Sequence, residues 1–199
     1  MNKSIAHLGR TTSILSGILL VCAHFFNLGG GEQGSVFGSL LVFVAHLLLV
    51  FAFFGLYTQQ GDRNGLLGFL AMLLGNVGNI IVTAIVFVEI AQASGEKIDH
   101  VFTTSVTEPI YSFGPLLFVI GMILLGVSLI RGKVFPAFSG YLLLLGTIVF
   151  AAASVTGDSQ KIVEFIGSIF TGAGFITAGI KFKKLKASSE FEYSSVKGR

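Results

Sequence analysis

Apolar residues gather along this chain into six long runs separated by short polar breaks. The runs lie near Thr11–Leu28, Val36–Tyr57, Leu66–Ala91, Phe113–Ile130, Phe138–Val155 and Ile162–Phe182. A helix rises about 1.5 Å per residue, so about 20 mostly apolar residues cross about 30 Å of hydrocarbon. Backbone N–H and C=O groups in hydrocarbon need partners within the protein, and a helix supplies them from its own segment. The pattern predicts an all-α integral membrane bundle of six transmembrane helices filling residues 1–186. A polar tail, 187–199, is predicted to be disordered, because it has too little apolar surface to fold.

Inside each run a second pattern marks the face that meets other helices. Lipid is as apolar as leucine, so helices in a bilayer associate through small residues and polar contacts. Small or polar residues recur at three- to four-residue spacing throughout. Examples are Ser13, Gly17, Leu20 and His24 in the first run, Gly68, Met72, Asn76, Asn79 and Thr83 in the third, and Gly167, Thr171, Gly174 and Ala178 in the sixth. Gly38-Ser-Leu-Leu-Val-Phe and Gly114-Pro-Leu-Leu-Phe-Val open the second and fourth runs alike, as a duplicated hairpin would leave them. The longest connection, Gln92–Ser112, carries Ile98, Val101, Phe102 and Ser105 at helical spacing behind Asp99. It predicts a short interfacial helix or lid that Pro109 would end, with Pro115 in the first turn of the fourth helix.

Charge then orients the bundle. Lys and Arg collect on the cytoplasmic side of membrane proteins. Of the thirteen Lys and Arg residues, all but Lys97 and Lys161 fall at the N-terminus, in the second and fourth loops or in the tail. Both termini are therefore predicted to be cytoplasmic. Glu32, Glu96, Asp99, Glu108, Asp158 and Glu164 lie at the opposite ends, with Glu89 just inside, which predicts an outer face that concentrates cations. Lys181, Lys183, Lys184 and Lys186 follow the sixth run and are expected to hold anionic lipid headgroups. Lys3 and Arg10 before an apolar stretch resemble a signal peptide. The run continues through Phe25 and Phe26, and Val21 before Cys22 is too large for a lipoprotein cleavage box, so an uncleaved first helix is expected.

Polar residues at membrane depth are expensive and often functional. His46 lies near the middle of the second run, with Asn76 and Asn79 at inner and middle depth in the third. His24, Asn27, Glu89, Asp158 and Glu164 share the outer end and come from four different helices. These eight residues are the candidate ligand or ion path, a carboxylate-rich mouth above a polar core. The alternative for each is an interhelical hydrogen bond or a side chain reaching out to water.

Catalytic and cofactor chemistry is not legible. The chain has no His-Glu-x-x-His, no Gly-x-Ser-x-Gly and no phosphate-binding Gly-x-x-x-x-Gly-Lys-Ser/Thr, and no lysine lies within a helix core to bind retinal. His24 lies about 5 Å and His46 about 15 Å inside the outer end, so their heights suit a bis-histidine haem poorly. Cys22 and His24, two residues apart, point to different helix faces and do not make a copper pair. No catalytic residue, metal site or cofactor is expected, and the basic residues line a membrane surface rather than a nucleic-acid interface.

Gly114-Pro-Leu-Leu-Phe through Gly126-Val-Ser-Leu-Ile-Arg131, then Val134-Phe-Pro136 and Tyr141-Leu-Leu-Leu-Leu-Gly146, resembles a pattern found in small bacterial multi-pass membrane proteins of unknown function. The resemblance implies a bacterial plasma membrane and brings no activity and no functional residues. The leading expectation is non-enzymatic transport or binding of a small cation, proton or small solute entering from the outer face. One alternative is a substrate-capture subunit of an energy-coupling-factor type transporter, docking through Ser13 and Gly17. The other is a scaffold or accessory protein without a ligand. Expected partners are the lipid bilayer and its anionic headgroups, with a second copy or transporter subunits as further candidates.

Overall fold

The computed structural model describes residues 3–31 and 34–181. They form six helices: α1 (Lys3–Asn27), α2 (Val36–Gln60), α3 (Gly65–Ala93), α4 (Thr107–Gly132), α5 (Ala137–Ala153) and α6 (Gln160–Ile180). Glu32 lies outside the described residues, as do Lys183, Lys184, Lys186 and the predicted disordered tail. Each helix packs on its neighbours in sequence, and α1 closes the ring against α6.

Five of the six helices are long and apolar enough to cross a membrane; α5 is the exception. Its 17 residues reach about 25 Å at the helical rise, short of a full span. The sequence run continues to Val155, but the helix stops at Ala153 for a local reason. The Ser154 hydroxyl donates to the Ala151 carbonyl, and the Thr156 hydroxyl to the Ala153 carbonyl. Such bonds compete with the helical ladder. Gly157 then turns the chain with φ 55°.

The connection after α3 also differs from expectation. The stretch expected as a short interfacial helix or lid forms a 3-10 turn, Asp99–Phe102, and the Phe102 ring centroid lies 4.4 Å from that of Tyr111 on α4. The fourth helix begins at Thr107, six residues before its apolar run. Pro109 therefore takes the first-turn position, and Pro115 falls inside the helix. Gly38 and Gly114 are not equivalent: the first faces Asn27 across the α1–α2 turn, the second faces Ile81 on α3.

The bundle is apolar outside, and its small and polar residues are turned within. Phe25, Phe37, Leu66, Phe87, Phe113, Phe138 and Ile148 are exposed, while Ser13, Ser16, Asn79, Ser128, Ser139 and Ser168 are buried. Water would not tolerate that outer surface, whereas hydrocarbon does. The chain is a membrane-embedded helical bundle.

Glycine sets the spacing at five of the six seams. Gly9 meets Gly55 between α1 and α2, Gly17 meets Gly172 between α1 and α6, and Gly75 meets Gly121 between α3 and α4. Gly126 meets Gly140 between α4 and α5, and Gly146 approaches Gly167 between α5 and α6. A Cβ on Gly17 would lie 2.6 Å from the Gly172 carbonyl oxygen, so these seams admit no larger residue without moving a backbone. The α2–α3 seam is built otherwise. There Gly75 faces the Phe53 ring, and no glycine pair meets among the described residues. At the bundle centre Phe53 packs edge-on against Phe118 and Phe175, with 6.3 Å between centroids in each pair. Leu49, Leu56, Met122, Leu129 and Leu143 complete this core.

Candidate functional site

The two ends of the bundle differ in charge. Arg10 backs on Gly179, and Arg63 and Gln60 on Gly132, so Arg10, Arg63, Arg131, Lys133 and Lys181 gather at one end. Lys181, expected at the headgroups, is exposed there just past α6. At the other end lie the α1–α2 and α5–α6 turns. Lys161 donates to the carbonyls of Gly30, at 2.9 Å, and Gly31. It therefore ties α6 to the α1–α2 turn. Asn27 is committed to the same turn: its Oδ1 accepts from the Ser35 amide at 3.0 Å and the Ser35 hydroxyl at 3.2 Å. The Ser35 hydroxyl in turn accepts from the Gly38 amide, capping α2.

Two of the predicted outer residues meet directly. His24 Nδ1 lies 3.9 Å from a Glu164 carboxylate oxygen, too far for a hydrogen bond and close enough for an ion pair if the ring is protonated. The other Glu164 oxygen accepts from Gln160 Nε2 at 2.8 Å, one helical turn earlier. His24 is buried, its ring edge-on to Phe150 with centroids 4.8 Å apart, and its Nδ1 has no hydrogen-bond partner. Glu89, half-buried near the C-terminal end of α3, lies within electrostatic reach of Glu164. Asp158 does not join them; it is exposed on the 3-10 turn Gly157–Ser159.

Deeper in the bundle His24 lies within electrostatic reach of His46. His46 and Asn79 hold each other by two bonds. Asn79 Nδ2 donates to the His46 backbone carbonyl at 2.7 Å, which fixes the amide orientation, because a carbonyl only accepts. Asn79 Oδ1 then accepts from His46 Nδ1, also at 2.7 Å. The ring therefore carries its proton on Nδ1, and Nε2 keeps a lone pair. Phe118 lies against the ring with centroids 5.4 Å apart. Asn76, three residues further inward on α3, is buried with neither amide atom hydrogen-bonded.

The structure thus joins His24 to Glu164 and His46 to Asn79, and leaves Asn27, Asp158 and Asn76 apart from both pairs. Sequence reasoning missed Lys161, Gln160, and the Ser128 hydroxyl donating to Gln60 Oε1 at the basic end. Gln160 was legible, because it precedes Glu164 by the four residues that place side chains on one helix face. The His46–Asn79 pair was legible too. His46 precedes the end of α2 at Gln60 by fourteen residues, and Asn79 follows the start of α3 at Gly65 by fourteen. Equal distance from a shared short turn means equal depth.

Among the described residues no three His, Cys, Asp or Glu side chains come together as a metal-holding group. Comparison with protein-family models, with curated proteins and with solved structures found no match to this chain.

Proposed function

We propose that the protein is a non-enzymatic plasma-membrane binder or transporter of a proton or small cation, with a small neutral solute as the less favoured cargo. The ligand is taken from the outer face, and both termini are cytoplasmic. The observation that carries the reading is the meeting of Glu164 with the buried, otherwise unpartnered His24 Nδ1. The orientation rests on Arg10, Arg63, Arg131, Lys133 and Lys181 at one end, which the positive-inside rule assigns to the cytoplasm. Glu89 and Glu164 raise the local cation concentration at the mouth. The donor set suits a proton better than a metal ion, which needs several fixed ligands at once. His46 lies about 10 Å deeper by the helical rise, so a proton leaving Glu164 and His24 would reach its Nε2 through water rather than by direct transfer. Protonation there leaves the Nδ1–H to Asn79 bond intact, so Asn79 orients the ring in both states.

The test is flux in reconstituted vesicles. After an external acid step, an internal pH-sensitive dye follows proton entry. The native protein is expected to carry protons, Glu164→Gln and His24→Phe to lose most of that flux, and Asp158→Asn to keep it. No flux in the native protein, or native flux in Glu164→Gln, overturns the reading.

A second reading is favoured by one group of observations. Several polar side chains are satisfied within the protein: His46 by Asn79, Ser128 by Gln60, and Asn27 by Ser35. A scaffold without ligand needs nothing more, and alanine at His46 would then change stability alone. The energy-coupling-factor alternative is less well supported. Ser13 is fully buried and donates to the Gly9 carbonyl at 2.7 Å, and Gly17 is covered by Gly172, so that face of α1 is not free to dock an ATPase module.

A further inference from the structure

Lys161 is badly placed on its own helix. It is the second residue of α6, where the positive end of the helix dipole disfavours a cation. Glu164, three residues on, is the local carboxylate able to offset this. The ammonium turns instead to another segment and donates to the carbonyls of Gly30, at 2.9 Å, and Gly31. Both glycines lie just past the end of α1. Lys161 therefore ties the C-terminal end of α1 to the N-terminal end of α6.

The His24–Glu164 pair lies between that tie and a fixed point of the same seam. The fixed point is the contact of Gly17 with Gly172. His24 is seven residues from Gly17 and Glu164 eight from Gly172, about 10–12 Å along each helix toward the tie. Gly30 and Lys161 lie beyond them again, by six and three residues. Between the two fastenings the helices meet through Phe25 and Phe165, with centroids 6.0 Å apart, and through the 3.9 Å approach of His24 to Glu164. Hydrocarbon replaces ring contacts at little cost, because lipid is as apolar as the rings. Glu164 is half-buried, whereas His24 is buried and its Nδ1, unpartnered, is covered. A ligand reaches that nitrogen only when the helices part.

We propose that Lys161 is a latch on the path to His24. Fastened, it holds the ends of α1 and α6 together and closes the ring to external water. Released, it lets the two helices separate beyond the Gly17–Gly172 contact and uncovers His24. The bond to Gly31 is exposed, so water competes for that carbonyl and the tie breaks and re-forms. That the opening admits a proton or small cation rests on the function proposed above; the latch itself is a property of the two helix ends.

The test is acylation of histidine by diethyl pyrocarbonate in liposomes, quantified residue by residue by mass spectrometry. Exposed His100 sets the rate of an open histidine, and buried His46, clamped by Asn79, that of the bundle interior. In the native protein His24 should react about tenfold more slowly than His100 or slower still, because its reaction waits on opening. Lys161→Met should raise the His24 rate about five- to twentyfold and leave His46 unchanged, whereas Lys161→Arg, which keeps a charged donor, should stay within about twofold of native. A native His24 as reactive as His100 overturns the latch. So does an unchanged His24 rate in Lys161→Met, or a rise at His46 that matches the one at His24. The readout involves no flux, so a native protein that carries no protons strikes the proposed function and not the latch.

Discussion

One pair of side chains clamps the seam between α2 and α3, and its strength can be worked from the geometry. Asn79 is fully buried and makes two bonds of 2.7 Å to His46, one to the ring and one to the backbone carbonyl. Interhelical hydrogen bonds in membranes average about 0.6 kcal/mol and reach about 1.7. Two short, well-placed bonds should therefore contribute about 1–3 kcal/mol. Asn79→Leu removes both. The His46 carbonyl keeps its place in the α2 ladder, but the ring Nδ1–H is left buried without an acceptor, which adds about 1–3 kcal/mol. The expected loss is about 2–6 kcal/mol. His46→Ala also removes ring packing and leaves Asn79 Oδ1 buried without a donor, while Asn79 Nδ2 still reaches the residue-46 carbonyl. The assay is reversible unfolding of the four proteins of a double-mutant cycle, in mixed micelles of rising denaturing-detergent fraction, followed by far-UV circular dichroism. A coupling of about 1 kcal/mol or more is expected. A coupling below about 0.3 kcal/mol would mean that the two residues are neighbours without holding the seam.

Three further outcomes follow from the same structure. Gly55→Ala drives a Cβ into Gly9 at the α1–α2 crossing and should cost about 1–3 kcal/mol in the same unfolding assay, whereas Gly29→Ala, with open space around it, should change stability by less than about 0.5. Phe175→Ala empties the centre of the aromatic core and should cost about 3–5 kcal/mol; a cost under about 1 would show that the centre is not packed as described. Lys161→Met releases the Gly30 and Gly31 carbonyls, and hydrogen exchange in the α1–α2 turn should rise several-fold while the interior of α2 stays protected.

Periodicity carried much of this fold. Gly17, Gly68, Asn79, Gly121, Thr147, Gly167 and Ala178 fall on inward stripes in the sequence and are buried in the bundle. Spacing works here because packing in lipid selects small and polar residues, so the inward face is written in residue type. The stripe fails at the outer end of α5. Ala151, Ser154 and Asp158 continue its spacing, but the chain leaves the helix after Ala153, and all three are exposed. Hydropathy does not register that Ser154 and Thr156 bond to backbone carbonyls and Gly157 turns the chain. The site was legible by depth and not by partner. That His24 and Glu164 share the outer end could be counted; that they meet depends on α1 closing the ring against α6, which no short loop dictates. Asn27 carries the same depth signal as His24, yet a glycine-rich turn brings Ser35 back to its amide.

Membrane embedding with a basic cytoplasmic end is tested most directly by labelling single cysteines with a membrane-impermeant maleimide in intact cells. The native Cys22 lies on the outward face of α1 and is first replaced by serine. Asp158→Cys, on the exposed α5–α6 turn, should be labelled in intact cells. Lys133→Cys, on the α4–α5 turn, should be labelled only after permeabilisation. Labelling of Lys133→Cys from outside, with Asp158→Cys protected until the cells are opened, would contradict the orientation and with it the outer-face path through Glu164 and His24.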